Sequence, residues 1–98
     1  MLKQTQNSYS NYWLNILKIN RDKYGFSKNF VIKYLIKNGV EVRSVWMPNH
    51  LQKPFLNFQK YNISESFKLF SESICLPSSF SLTKKDQLYV IELLKKIF

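Results

Sequence analysis

The sequence predicts a two-layer α/β domain of the α+β kind, a small mixed or antiparallel sheet with helices packed on one of its faces. Three observations carry that expectation. Apolar residues recur at helical spacing in three separate stretches, each opened by a capping residue. Short runs dense in aromatic and branched side chains lie between them, bounded by Gly, Pro and Asn. The resulting order is strand, helix, strand, loop, helix, short strand, helix, and such elements bury their apolar faces against one another in layers.

Residues 1–11 are polar, lack periodicity and read as a loose lead-in. Residues 12–19, Tyr-Trp-Leu-Asn-Ile-Leu-Lys-Ile, read as a strand with apolar side chains on both faces. One face is expected to pack on helices and the other to meet something else. Residues 20–25 are turn chemistry. Ser27 is the expected cap of a helix over 28–38, in which Phe30 with Tyr34 and Val31 with Leu35 form an apolar stripe. Lys33 and Lys37 suit the negative end of that helix, and Gly39 is the expected left-handed residue that stops it.

A second strand is expected over 40–47, with Val40, Val42 and Trp46 on one side and Glu41, Arg43, Val45 and Met47 on the other. Trp46 is core by default. Pro48 cannot donate to a sheet ladder and ends the strand. Residues 49–61 are an irregular loop carrying Phe55, Phe58 and Tyr61. Asn62 with Glu65 looks like a capping box for a helix whose face carries Phe67, Phe70 and Ile74. Residues 74–77 read as a brief edge strand stopped by Pro77. Thr83 with Asp86 is a second capping box, opening a last helix with Leu88, Ile91, Leu94 and Phe98 toward the core.

Ninety-eight residues make one small domain, and 45% apolar content is too high for a disordered chain. No apolar run is long enough for a membrane span, and the N-terminus has no signal-peptide core, so a cytoplasmic protein is expected. The single Cys75 cannot form an internal disulfide and is expected as a buried small side chain. The net charge of +9 raises a small basic nucleic-acid-binding module as an alternative function. Thirteen of the fifteen basic residues are lysines spread along the chain, however, and only Arg21 and Arg43 offer the planar fork suited to bases and phosphates. A solvated lysine surface is the preferred reading, and a nucleic-acid partner is disfavoured.

The chain has no glycine-rich phosphate loop, no zinc-spaced Cys/His cluster and no nucleophile elbow. Glu65 and Glu72 are too far apart in sequence to form a tight acid/base pair. What remains is the segment from Gly39 to Pro54. There Arg43 sits mid-strand among apolar residues and needs an anionic partner, of which Glu41 is the near one. His50 and Gln52 follow the proline break, where binding groups commonly gather.

That segment, Gly-Val-Glu-Val-Arg-Ser-Val-Trp-Met-Pro-Asn-His-Leu-Gln-Lys-Pro-Phe over residues 39–55, resembles the C-terminal domain of the DegT/StrS sugar aminotransferases. These are fold-type-I pyridoxal-phosphate (PLP) enzymes. Asn11 to Leu17 looks like the strand that opens the family's C-terminal domain, Ser73 to Ser79 like its leucine-proline-serine turn, and Leu82 to Gln87 like the start of its terminal helix. The resemblance covers residues 9–98 and leaves 1–8 as lead-in. It implies amino transfer from glutamate to a keto nucleotide-sugar for surface polysaccharides, by a homodimer with its active site between subunits. It implies substrate-side contacts from Arg43, Trp46, His50 and Gln52. It also implies that the PLP lysine and phosphate-binding residues belong to a large domain that this chain does not contain. The chain is therefore expected to be a fragment, to bind no PLP alone and to be inactive without that partner. No catalytic, cofactor-binding or metal residue is expected in it.

Overall fold

Ser27 accepts a hydrogen bond from the Phe30 N–H at 3.3 Å and opens helix α2, Lys28–Lys37, in a computed structural model that describes residues 4–98. The first three residues of the expected lead-in lie outside the described part. Val31 and Leu35 are fully buried, as their spacing requires. The helix stops as a Schellman motif: Gly39 has φ 77°, its N–H donates to the Ile36 carbonyl, and the Val40 N–H donates to that of Leu35, both at 3.0 Å. Before α2, residues 20–25 form a single helical turn, α1, Arg21–Tyr24. Asn20 caps it and the left-handed Gly25 ends it.

The sheet has three strands and is wholly antiparallel. β3, Ser73–Leu76, is central, with β1, Asn15–Lys18, on one side and β2, Arg43–Ser44, on the other. This corrects the expectation of an edge strand at 74–77. Ser73 and Ile74 are almost fully covered, and backbone that deeply buried has to be paired rather than left open. Both outer strands are also shorter than expected, for reasons fixed by register. Arg43 faces Cys75 and Ser44 faces Ile74, so the position opposite Trp46 would fall inside helix α3, Ser64–Glu72, which offers no ladder. Asn15 faces Leu76, so the next partner along is Pro77, which has no N–H to give. Tyr12 then takes φ 53° and turns the chain away.

Residues that face each other in the register share a side of the sheet. Leu17, Ile74 and Leu76 lie on the covered side with Ile19, Val40 and Val42. They pack against Val31 and Leu35 of α2 and against Val90 and Leu93 of helix α4, Lys84–Lys95. Ile16, Cys75 and Arg43 lie on the other side with Lys18 and Ser73. The helices α2 and α4 thus cover one face, as predicted, and α3 reaches the opposite face only near Ser73.

Three further expectations are corrected. Asn62 does not cap α3: it takes φ 43°, the residue at the cap is Ile63, and no side chain accepts the first N–H groups. Asn tolerates that left-handed geometry, which differs from the extended backbone that a capping side chain needs. Ile74 belongs to β3 rather than to the α3 stripe, and Phe67 is exposed. On α4 the buried line is Val90 and Leu93, with Leu94 and Ile97 half-covered, while Leu88, Ile91 and Phe98 are largely exposed. The Thr83–Asp86 capping box is present and fixes where α4 begins. Its rotation is set by tertiary contact, including the Tyr89 hydroxyl donating to the Asn38 carbonyl at 3.0 Å.

Ile74→Ala is expected to lower stability by about 3 kcal/mol, as for other buried Ile truncations, read as a shift in the urea midpoint. Thr83→Ala should cost about 1 kcal/mol of stability, the usual value of a lost cap. The Thr83 hydroxyl and backbone N–H both donate to Asp86 and hold its carboxyl below the ordinary value of 3.8. A folded pKa below the unfolded one gives stability that is complete above that ordinary value and is lost as pH falls through the depressed one. The gap between the wild type and Asp86→Asn should therefore close in acid melts.

Candidate functional site

The predicted segment leaves β2 at Ser44 and runs across the open side of the sheet. Arg43 is not part-buried as expected. Its side chain is 81% exposed, and its guanidinium donates twice to Glu41, through Nη2 at 2.6 Å and Nε at 3.1 Å, with Glu41 itself 76% exposed. Such a pair is weakly held in water. Trp46 is also not core. It is 68% exposed and rests on Trp13, equally exposed, with ring centroids 5.9 Å apart. The two rings follow β2 and precede β1, so the exposed pair spans both outer strands above the open face.

Pro48 is followed by two short 3-10 turns, Asn49–Leu51 and Lys53–Phe55. Gln52 lies between them and holds the corner. Its amide Nε2 donates to the Met47 carbonyl at 2.8 Å and to Asn49 Oδ1 at 3.3 Å. His50 is half-buried and lines a depression of about 550 Å³ with Phe55, Phe58 and Tyr61. Arg43 lines a different groove of about 770 Å³, shared with Trp13, Cys75, Ser78, Phe80 and Asp86. Trp46 lines a third, smaller one of about 330 Å³. The four predicted residues thus occupy one continuous strip of chain, but Arg43, Trp46 and His50 each border a different depression and Gln52 lines none of these three.

Cys75 is half-buried rather than buried, on the Arg43 side of the sheet, and desolvation pushes its thiol up. Residues outside the four predicted contacts also shape this region. The Ser78 hydroxyl donates to the Trp13 carbonyl at 2.7 Å and holds the approach to β1. Lys28 joins three elements: its ammonium donates to Ser44 Oγ at 2.7 Å and to the Phe70 carbonyl, and it sits 4.2 Å from the Phe70 ring centre. Desolvation lowers its pKa. Nothing in the local sequence marks Lys28, because all its partners are distant along the chain. Among the described residues no group of three or more His, Cys, Asp or Glu could hold a metal ion, and no helix is long and apolar enough to cross a membrane.

Residues 1–95 match the DegT/DnrJ/EryC1/StrS aminotransferase family. The chain belongs to that family. A relative in Bacillus subtilis (strain 168), described as "Putative pyridoxal phosphate-dependent aminotransferase EpsN", is 32% identical over 93 residues, which is 91% of this chain. The chain spans 23% of that relative's length. The family is one of PLP-dependent aminotransferases.

Because both members of the Arg43–Glu41 pair are exposed, Arg43→Gln is expected to change folding stability by less than about 0.5 kcal/mol. Gln52→Ala removes the hydrogen bond to the Met47 carbonyl and should cost about 1 kcal/mol. Its larger effect should be faster amide exchange across residues 47–55, read by mass spectrometry.

Proposed function

We propose that this chain is the C-terminal small domain of a PLP-dependent aminotransferase that acts on keto nucleotide-sugars in surface-polysaccharide biosynthesis. The family match over residues 1–95 carries this reading. Glutamate is the amino donor, and the working enzyme is a homodimer in which a large PLP-binding domain supplies the cofactor site.

In this reading the small domain contributes substrate contacts. Arg43 presents a charged, planar fork to an anionic group of the substrate or donor, and Glu41 holds that fork in place until the anion displaces it. Trp46 offers an exposed ring face to a sugar or base. His50 borders an aromatic-walled depression at the sugar or phosphate end. Gln52 keeps the loop in the shape that places them.

The residues present do not fit PLP. The cofactor, when bound, supplies an electron sink for amino transfer, and it needs a free lysine of lowered pKa, an acid at its ring nitrogen and a phosphate cradle. Among the described residues Lys28 is the lysine with a lowered pKa, and its ammonium is committed to Ser44 and the Phe70 carbonyl. In this reading the chain alone binds no PLP and transfers no amino group.

The test is a chimera in which this chain replaces the matched 93 residues of EpsN. The isolated chain should retain no PLP absorbance after gel filtration. The chimera should retain it and should aminate a keto nucleotide-sugar with glutamate. Arg43→Gln in the chimera should cut kcat/KM by about tenfold to a hundredfold, the range of a lost charge-assisted contact. A PLP-loaded chimera indifferent to Arg43→Gln would remove that residue from the substrate site.

A further inference from the structure

A groove of about 850 Å³ lies between α1, the first turn of α2 and the second half of α3. It shares only Phe70 with the three depressions along the Arg43 to Gln52 strip. Its lining carries four cations, Lys18, Arg21, Lys28 and Lys68, and two carboxylates, Asp22 and Glu72. Lys18 and Glu72 neutralise one another across 3.2 Å. Arg21, Lys28 and Lys68 pair with no carboxylate among the described residues. Asp22 offsets one of these three, so the groove keeps an excess of two positive charges.

Lys28 is the centre of this imbalance. It is half-buried, and its ammonium donates to two neutral oxygens, Ser44 Oγ and the Phe70 carbonyl. Neither carries a charge to match it, and desolvation holds its pKa below the ordinary value. Charges withdrawn from water are ordinarily paired. An ammonium has three N–H donors, so one remains for a ligand. The Ser44 hydroxyl accepts from Lys28 and keeps its own proton to donate. Arg21 and Lys68 line the same groove as exposed side chains.

We infer that this groove is a binding site for a phosphate monoester, its phosphoryl group held by Lys28, Ser44, Arg21 and Lys68 and its carbon body against the Phe67 ring. Three features select the ligand. A phosphate monoester carries about −1.5 to −2 charge at neutral pH, which matches the excess in the groove, whereas a carboxylate carries half of it. Arg21 supplies the planar fork that suits phosphoryl oxygens. Phe67 is 52% exposed and lines the groove, so an apolar surface stands beside the cations. A nucleic-acid backbone is a poorer match, because Asp22 and Glu72 interrupt the positive surface. The inference does not depend on the proposed function. The groove is open to water and Lys28 stays engaged with Ser44 and Phe70, so a ligand exchanges freely and PLP is not retained through gel filtration.

The test is a titration of the 98-residue chain with phenyl phosphate, followed by amide NMR. Saturable shifts confined to residues 18–29, 44 and 67–72 are expected, with a Kd of about 1 mM or tighter. Lys28→Met keeps the apolar stem and should weaken binding about tenfold or more. Arg21→Gln and Lys68→Gln should each weaken it about twofold to fivefold. Lys33→Gln, on α2 but outside the groove, should leave it unchanged. If Lys28→Met does not fold, the Arg21→Gln and Lys68→Gln variants decide alone. Phe67→Ala should weaken phenyl phosphate and leave inorganic phosphate unaffected. Equal affinities for phenyl phosphate and inorganic phosphate overturn the monoester, and benzoate binding as tightly overturns the phosphoryl group. A loss shared equally by Lys33→Gln, or displacement of phenyl phosphate by a short DNA duplex with shifts spread over the whole surface, marks diffuse attraction to the net charge of +9 and overturns the site. The absence of any saturable shift overturns it too.

Discussion

The pairing of β3 on both its edges determines which side chains can meet anywhere else in this domain. Ile74 faces Leu17 on one side and Ser44 on the other, and its side chain enters the layer formed by α2 and α4. A shift of one residue would send Ile74 to the open side and bring Ser73 or Cys75 into the core. The same register brings Arg43 beside Cys75 on the open face. It also keeps β2 short, because a longer ladder would set Trp46 opposite Glu72, the last residue of α3. The exposed strip from Val45 onward exists because the sheet runs out there.

Local chemistry was well encoded in the sequence. Ser27, Gly39 and the Thr83–Asp86 pair each act within three or four residues of themselves, and all three appear where their residue types place them. One local signal failed, the Asn62–Glu65 pair, because Asn62 takes φ 43°; the other misreadings concern features decided by distant partners. Residues 74–77 look like an edge because the run is short and ends in Pro77, yet centrality is decided by β1 and β2. Two apolar stripes can be drawn on α4, one through Leu88 and Ile91 and one through Val90 and Leu93. Spacing alone cannot choose between them, and contact with α2 and the sheet does. Trp46 alternates correctly with Val42, but the strand it was assigned to ends before reaching it. The candidate site was legible as a strip of chain from its motif, whereas its division among three depressions and its link to Trp13 were not.

The site strip combines firm and loose attachments in a useful way. Val40 and Val42 are sunk in the core, and Gln52 pins the corner at Met47, so the backbone between them has little freedom. The side chains it carries outward, Arg43 and Trp46, are held only by exposed contacts to Glu41 and Trp13. A rigid path with adjustable side groups allows a surface to be positioned by the fold and still adapt to what it touches.

The central strand is also the last of the three to be made. On a translating ribosome β1 and the β2 segment emerge well before residues 73–76, and neither can pair with the other because β3 lies between them. Sheet formation therefore waits for most of the chain, which is the long-range closure that slows folding. In that interval α2, with its own cap and stop signal, is the element able to order locally. The two unpaired strand segments, carrying Trp13 and Trp46, are the surfaces that a chaperone or a neighbouring domain would meet first.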